Sequence, residues 1–81
     1  MTFPDGRTMT TLAAIVEATA FEIWDDDRML VTTDRGKWEP LGDEIDELTE
    51  RDWIRVGIDS LEVTEAGRYW LKRYETRKVT K

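Results

Sequence analysis

Apolar positions in this chain change their spacing several times, and each change marks an element. From Thr10 onward Leu12, Ile15, Val16, Thr19 and Ile23 recur every three or four residues, with Ala13 and Ala20 alongside. That period predicts a helix, which Thr10 or Thr11 can cap. Asp25-Asp26-Asp27 would place three negative charges at the negative end of this helix, so it is expected to stop between Ala20 and Trp24, with the aspartates in a turn. Residues 1–8, with Pro4 and Gly6 among polar neighbours, read as a flexible lead-in, leaving 9–79 as one domain.

The middle of the chain switches to strand composition. Met29-Leu30-Val31-Thr32-Thr33 is rich in β-branched residues, Asp34-Arg35-Gly36 is a turn signal, and Lys37-Trp38-Glu39 can return antiparallel. Phe21–Trp24 can instead pair with Met29–Thr33 across the aspartates, and the pattern leaves both hairpins open. Pro40 suits a helix entry, and Leu41, Ile45 and Leu48 mark one apolar stripe. Trp53–Val56 and Leu61–Val63 form a short ribbon across residues 57–60. Thr64 caps a last helix by accepting from the Gly67 amide, and Ala66, Tyr69, Trp70, Leu71 and Tyr74 supply its buried and half-buried side. The predicted class is α+β, in the order helix, β-hairpin, helix, two-stranded ribbon, C-terminal helix.

The segment Leu41–Tyr74, LGDEIDELTERDWIRVGIDSLEVTEAGRYWLKRY, resembles the second half of a bacterial winged-helix domain of the MarR and PadR type. Leu48-Thr49-Glu50-Arg51-Asp52-Trp53-Ile54 matches the end of the recognition helix and the first wing strand, and Val63-Thr64-Glu65-Ala66-Gly67 matches the segment after the wing. The resemblance implies a small winged-helix-like single domain and a DNA reader. Asp52 stands where the family has the left-handed glycine that closes the helix, a position aspartate tolerates less well. Two departures are visible. The family has two or three helices before the recognition helix, whereas residues 21–40 read as hairpin. The wing turn is short and carries no cluster of Lys or Arg.

Charge opposes the DNA expectation. Of the 81 residues, 1–66 carry 6 basic and 17 acidic side chains, while 67–81 carry 6 basic and one acidic. The chain is therefore an acidic body with a basic tail helix, at a formal net charge of −6. Residues 41–52 offer Asp43, Glu44, Asp46, Glu47, Glu50 and Asp52 against Arg51 alone, and the chain has no Asn or Gln to read bases. Such a helix repels phosphates, so DNA is not expected through 41–52. The cationic alternative runs through Arg55 on the wing and Arg68, Lys72, Arg73, Arg77 and Lys78 on the last helix, where helical spacing puts Arg68 and Lys72 on one face and Arg73 and Arg77 on another.

Catalysis has little to draw on. With no His, no Cys and Ser60 as the single serine, imidazole-based triads and the usual zinc sites are excluded by inventory. The aspartate run lacks the spacing of a calcium loop, and Gly36, Gly42, Gly57 and Gly67 form no phosphate-binding motif. No enzyme activity and no cofactor are expected. The expected function is a non-catalytic protein-interaction module, in which Asp43, Glu44, Asp46, Glu47 and Glu50 face a basic surface on a partner, with Trp38 and Trp24 as candidate anchors that also read as ordinary core residues. Small size and acidity also suit a DNA-mimicking regulatory accessory protein of a phage or mobile element. The alternative is a dimeric transcription regulator, its two chains joined through Tyr69, Trp70 and Tyr74 of the C-terminal helix. No apolar run approaches the roughly 20 residues of a membrane span, and no signal peptide is read, so a cytoplasmic location is expected.

Overall fold

The computed structural model describes the backbone of residues 3–24, 28–57 and 61–79, and the side chains of all of these but 23, 24, 28 and 77–79. The order is α1 (Gly6–Val16), β1 (Ala20–Trp24), β2 (Arg28–Thr33), β3 (Gly36–Trp38), α2 (Gly42–Glu50), β4 (Ile54–Val56), β5 (Leu61–Val63) and α3 (Glu65–Val79). The expected α+β class holds, with three helices and two small antiparallel sheets among the described residues.

Helix α1 starts earlier and stops earlier than its apolar spacing predicts. Asp5 is the cap, and its carboxylate accepts from the Thr8 amide at 2.8 Å. The expected caps have other roles: the Thr10 hydroxyl donates to the Gly6 carbonyl, and Thr11 is fully buried. The supposed lead-in is part of the packing, because Pro4 is buried and the Phe3 ring meets Trp70 and Tyr74 edge-on at 6.0 and 5.3 Å. At the other end Glu17 caps the helix, and Thr19 leaves it by donating its amide to the Thr32 carbonyl at 2.8 Å. Ile23, matched to the helical stripe by spacing, lies in β1 opposite Met29.

Both candidate hairpins form at once. Strand β2 pairs with β1 on one side (Phe21 opposite Val31) and with β3 on the other (Val31 opposite Trp38), giving a three-stranded meander. Gly36 closes the β2–β3 turn at φ 127°, a conformation that side chains strongly disfavour. The expected turns at 25–27 and 58–60 lie outside the described residues.

The core gathers one face of every helix. Met9, Leu12 and Ile15 from α1 meet Met29 and Val31 from β2, Leu48 from α2, Ile54 and Leu61 from the ribbon, Leu71 from α3, and Trp53. Each such buried side chain contributes roughly 1.5–3 kcal/mol before entropy is charged against it. Trp53 stacks near-parallel on Trp70 with centroids 6.3 Å apart. Three positions expected on buried faces are exposed instead. Leu41 is the residue before α2 and is 53% exposed, Tyr69 is 54% exposed, and Ala66 also faces outward.

The junction between α2 and α3 is a continuous chain of hydrogen bonds. After α2, the Trp53 amide donates to the Leu48 carbonyl at 3.0 Å and the Asp52 amide to the Thr49 carbonyl at 2.9 Å, with Asp52 left-handed at φ 61°. This is a Schellman closure with aspartate in the place glycine usually holds. The Trp53 carbonyl then accepts from the Thr64 amide at 2.9 Å. The Thr64 hydroxyl donates to the Asp52 carbonyl at 2.6 Å and accepts from the Gly67 amide at 3.1 Å. Gly67 is required by proximity: a Cβ there would overlap the Trp53 carbonyl oxygen and press on the Val63 side chain. Gly67→Ala is therefore expected to destabilise the fold by about 2 kcal/mol or more, even though alanine favours helix by about 1 kcal/mol. Urea unfolding followed by tryptophan fluorescence measures this, and an unchanged midpoint would refute the close approach.

Candidate functional site

Helix α2 carries two faces with different chemistry. At about 100° per residue, Asp43, Asp46, Glu47 and Glu50 fall within an arc of about 100°, and Leu48 and Glu44 lie on the side turned to the core. Asp43, Asp46 and Glu50 are exposed, and Glu47 is 40% exposed at its side chain. Four of the five expected acidic residues thus form one solvent-facing stripe.

Glu44 does not join it. The residue is 6% exposed, and its carboxylate is held by three donors. The Thr11 hydroxyl donates at 2.7 Å and the Leu41 amide at 3.0 Å, while the Arg7 Nε forms an ion pair at 2.6 Å. Leu41 has no side-chain oxygen, so only the returning half of a capping box exists, with Glu44 reaching back to the N-cap amide. The expectation that Glu44 faces a partner is therefore corrected: a buried carboxylate needs donors, and α1 supplies two of the three.

Trp38 belongs to the same network. Its indole N–H donates to the Thr11 hydroxyl at 2.8 Å, and the Arg7 guanidinium lies over its ring, 4.6 Å from the centroid. Arg7 also donates to the Glu39 carbonyl at 3.2 Å. A half-buried ring held on its edge and one face is a structural member of the α1–β3–α2 junction. The surface it retains walls a shallow cleft of about 190 Å³ with Ala13, Ala14, Arg35 and Lys37. The side chain of Trp24, the other expected anchor, lies outside the described residues. Arg7 and Thr11 escaped the sequence reading, and only the Glu three residues after Leu41 hinted at a network here.

The stripe acts on its own helix in opposing ways. Asp43 and Glu47, and Asp46 and Glu50, are like-charge pairs at i,i+4, each opposing the helix by roughly 0.2–0.5 kcal/mol. No basic residue lies in the last turn of α2 to complement its negative end. Asp43 does favour the N-terminal dipole, and Arg51 at the C-cap pairs with Glu47 through its Nε and Nη2, at 3.2 and 3.0 Å.

The cations gather elsewhere. Arg68, Lys72 and Arg73 are exposed on α3. The Arg73 guanidinium lies 5.7 and 5.8 Å from the ring centroids of Tyr69 and Trp70. Tyr69, Lys72, Arg73 and Thr76 line an open groove of about 530 Å³. Arg55 is exposed on β4 directly opposite Glu62 of β5, so the ribbon's cation faces a carboxylate across the strands. The side chains of Arg77 and Lys78 lie outside the described residues. Among the described residues no group of three or more carboxylates is placed to hold a metal ion, and no helix is long and apolar enough to cross a membrane. Comparison of the chain with family models, characterised proteins and solved structures gives no match.

Two expected outcomes test these assignments. Thr11→Val removes the acceptor of Trp38 and a donor to Glu44, and should cost about 1–3 kcal/mol in urea unfolding. Combined with Trp38→Phe it should be non-additive by about 0.5 kcal/mol or more, and simple additivity would dissolve the network. The Thr8 backbone amide, together with the Thr8 side chain, holds the Asp5 carboxyl below its ordinary value. A lowered folded-state pKa contributes stability that is present above the ordinary aspartate range and is lost as pH falls through that range and below it. Asp5→Asn should therefore remove that part of the acid decline in Tm followed by circular dichroism, and superimposable wild-type and variant profiles would discount the cap's charge.

Proposed function

We propose that this chain is a non-catalytic protein-interaction module on a winged-helix-like scaffold, and that it binds a basic partner through the α2 stripe. One observation carries the reading: Asp43, Asp46, Glu47 and Glu50 crowd one exposed arc of a single short helix, with like charges adjacent at i,i+4. Packing does not require them, because the carboxylate that the fold uses is Glu44, on the other side. Like charges gathered on one exposed face are suited to electrostatic recognition, where they raise association rate and select against acidic competitors. The winged-helix part of the reading is supported by the order α2, two-stranded ribbon, α3, and by Gly67 and left-handed Asp52 at the family's glycine positions. Against a groove-reading role, α2 is preceded by a β-meander, so the described residues contain no helix-turn-helix ahead of it. A phage or mobile-element accessory protein that imitates DNA is the setting that suits this chemistry.

The second reading is a dimeric regulator that touches phosphates through the wing and α3. It is favoured by the exposed Arg68, Lys72 and Arg73 and opposed by Glu62 beside Arg55.

A lysine-rich helical peptide, titrated by fluorescence anisotropy at low and moderate salt, tests the first reading. Asp46→Lys with Glu50→Lys should weaken its binding about tenfold or more. The same pair should leave stability nearly unchanged, since the two introduced lysines still repel each other at i,i+4 while each gains an acidic neighbour, Asp43 or Glu47, three residues before it. Equal peptide affinity for wild type and variant would remove the stripe from the function.

A further inference from the structure

We infer that the α3 groove is the docking site for the α2 stripe of a second copy of this chain. The inference rests on the reading of α2 as a recognition face and names a partner for it. The α3 face has the composition of an interface: Tyr69, 54% exposed, is flanked by Lys72 and Arg73, with Arg68 one turn before Lys72. Arg73 is held over the Tyr69 and Trp70 rings, so part of the positive charge is fixed in place before any partner arrives.

Complementarity identifies the occupant. The stripe from Asp43 to Glu50 runs about 10 Å along α2, and the face from Arg68 to Thr76 about 12 Å along α3. Within one chain both helices pack on α1, each presenting its charged face outward. A second copy brings four carboxylates to Arg68, Lys72 and Arg73 around an exposed aromatic ring, with Glu65 and Glu75 the acidic residues beside those cations on α3. Two-fold symmetry makes the contact twice, α2 on the partner's α3 and the reverse, and closes the pair. A nucleic acid would meet the same cations but also the acidic body, where residues 1–66 hold 17 acidic side chains against 6 basic. Net repulsion between copies acts over longer distances and is damped by salt at a Debye length of roughly 8 Å, while the contact pairs are screened less.

Sedimentation equilibrium of the full chain at moderate salt, with two charge-reversed variants, decides the matter. One variant carries Asp46→Lys and Glu50→Lys, and the other Arg68→Glu and Lys72→Glu. Wild type should form dimers at micromolar protein, each variant alone should be monomeric, and an equimolar mixture of the two should recover the dimer, since each reversed face then meets its opposite. Failure to fold cannot mimic this pattern, because recovery on mixing requires two folded chains. Addition of the lysine-rich peptide should dissociate the wild-type dimer by competing for α2. A wild type that stays monomeric while binding that peptide overturns the inference and leaves the function standing. A monomer that binds no peptide removes both. Duplex DNA bound by monomeric wild type, and released by Arg68→Glu with Lys72→Glu, overturns the inference and assigns the α3 face to phosphates.

Discussion

The peptide carbonyl of Trp53 anchors the second half of the molecule. It lies just past the left-handed residue that ends α2, accepts the amide of Thr64, and approaches α3 so closely that position 67 has no room for a Cβ. Thr64 adds two bonds of its own, one back to Asp52 and one forward to the start of α3. Helix, ribbon and helix are thereby held in fixed relation by hydrogen bonds whose geometry is short-ranged and directional. The buried Trp53 ring, stacked on Trp70, ties the same backbone segment to the core.

The first half is attached by different means. Helix α1, strand β3 and the entry to α2 converge on Glu44, whose donors come from Arg7, Thr11 and Leu41. A buried carboxylate is worth keeping only when its partners are all present, so this junction is specific without being a large source of stability. It also separates two kinds of acidic residue on one helix. Glu44 is buried and bonded within the fold, while Asp43, Asp46, Glu47 and Glu50 face solvent, with two like-charge pairs among them at i,i+4.

Local chemistry was legible in the sequence, and long-range pairing was not. Thr64 as a cap for Gly67, Asp52 as a left-handed closure and the β2–β3 turn at Gly36 are decided by a few adjacent residues, and they were anticipated. The start of α1 was missed because Pro4-Asp5-Gly6 carries the same turn signals that an aspartate N-cap carries. Thr19 and Ile23 continued the helical period into a strand because spacing alone cannot register that β2 has a free edge for β1. Both meander hairpins were visible, but nothing local shows that one strand uses both edges. Glu44 was indistinguishable from the carboxylates around it, since its donors Arg7 and Thr11 lie more than thirty positions away. Of the candidate surface, the stripe was readable from helical spacing, and a packing role was open for Trp38, but its specific partners Thr11 and Arg7 were not readable because they lie far from it in sequence.

The Phe3 ring rests on Trp70 and Tyr74. On a ribosome the order of synthesis becomes the order of waiting: the strands of the meander meet neighbours a few residues away as they emerge, whereas residue 3 must wait for residues 70 and 74. Domains rich in contacts of such sequence separation fold more slowly than those built from local ones. A nascent chain halted before α3 therefore lacks the rings that cover Phe3 and the part of α1 that packs on α3.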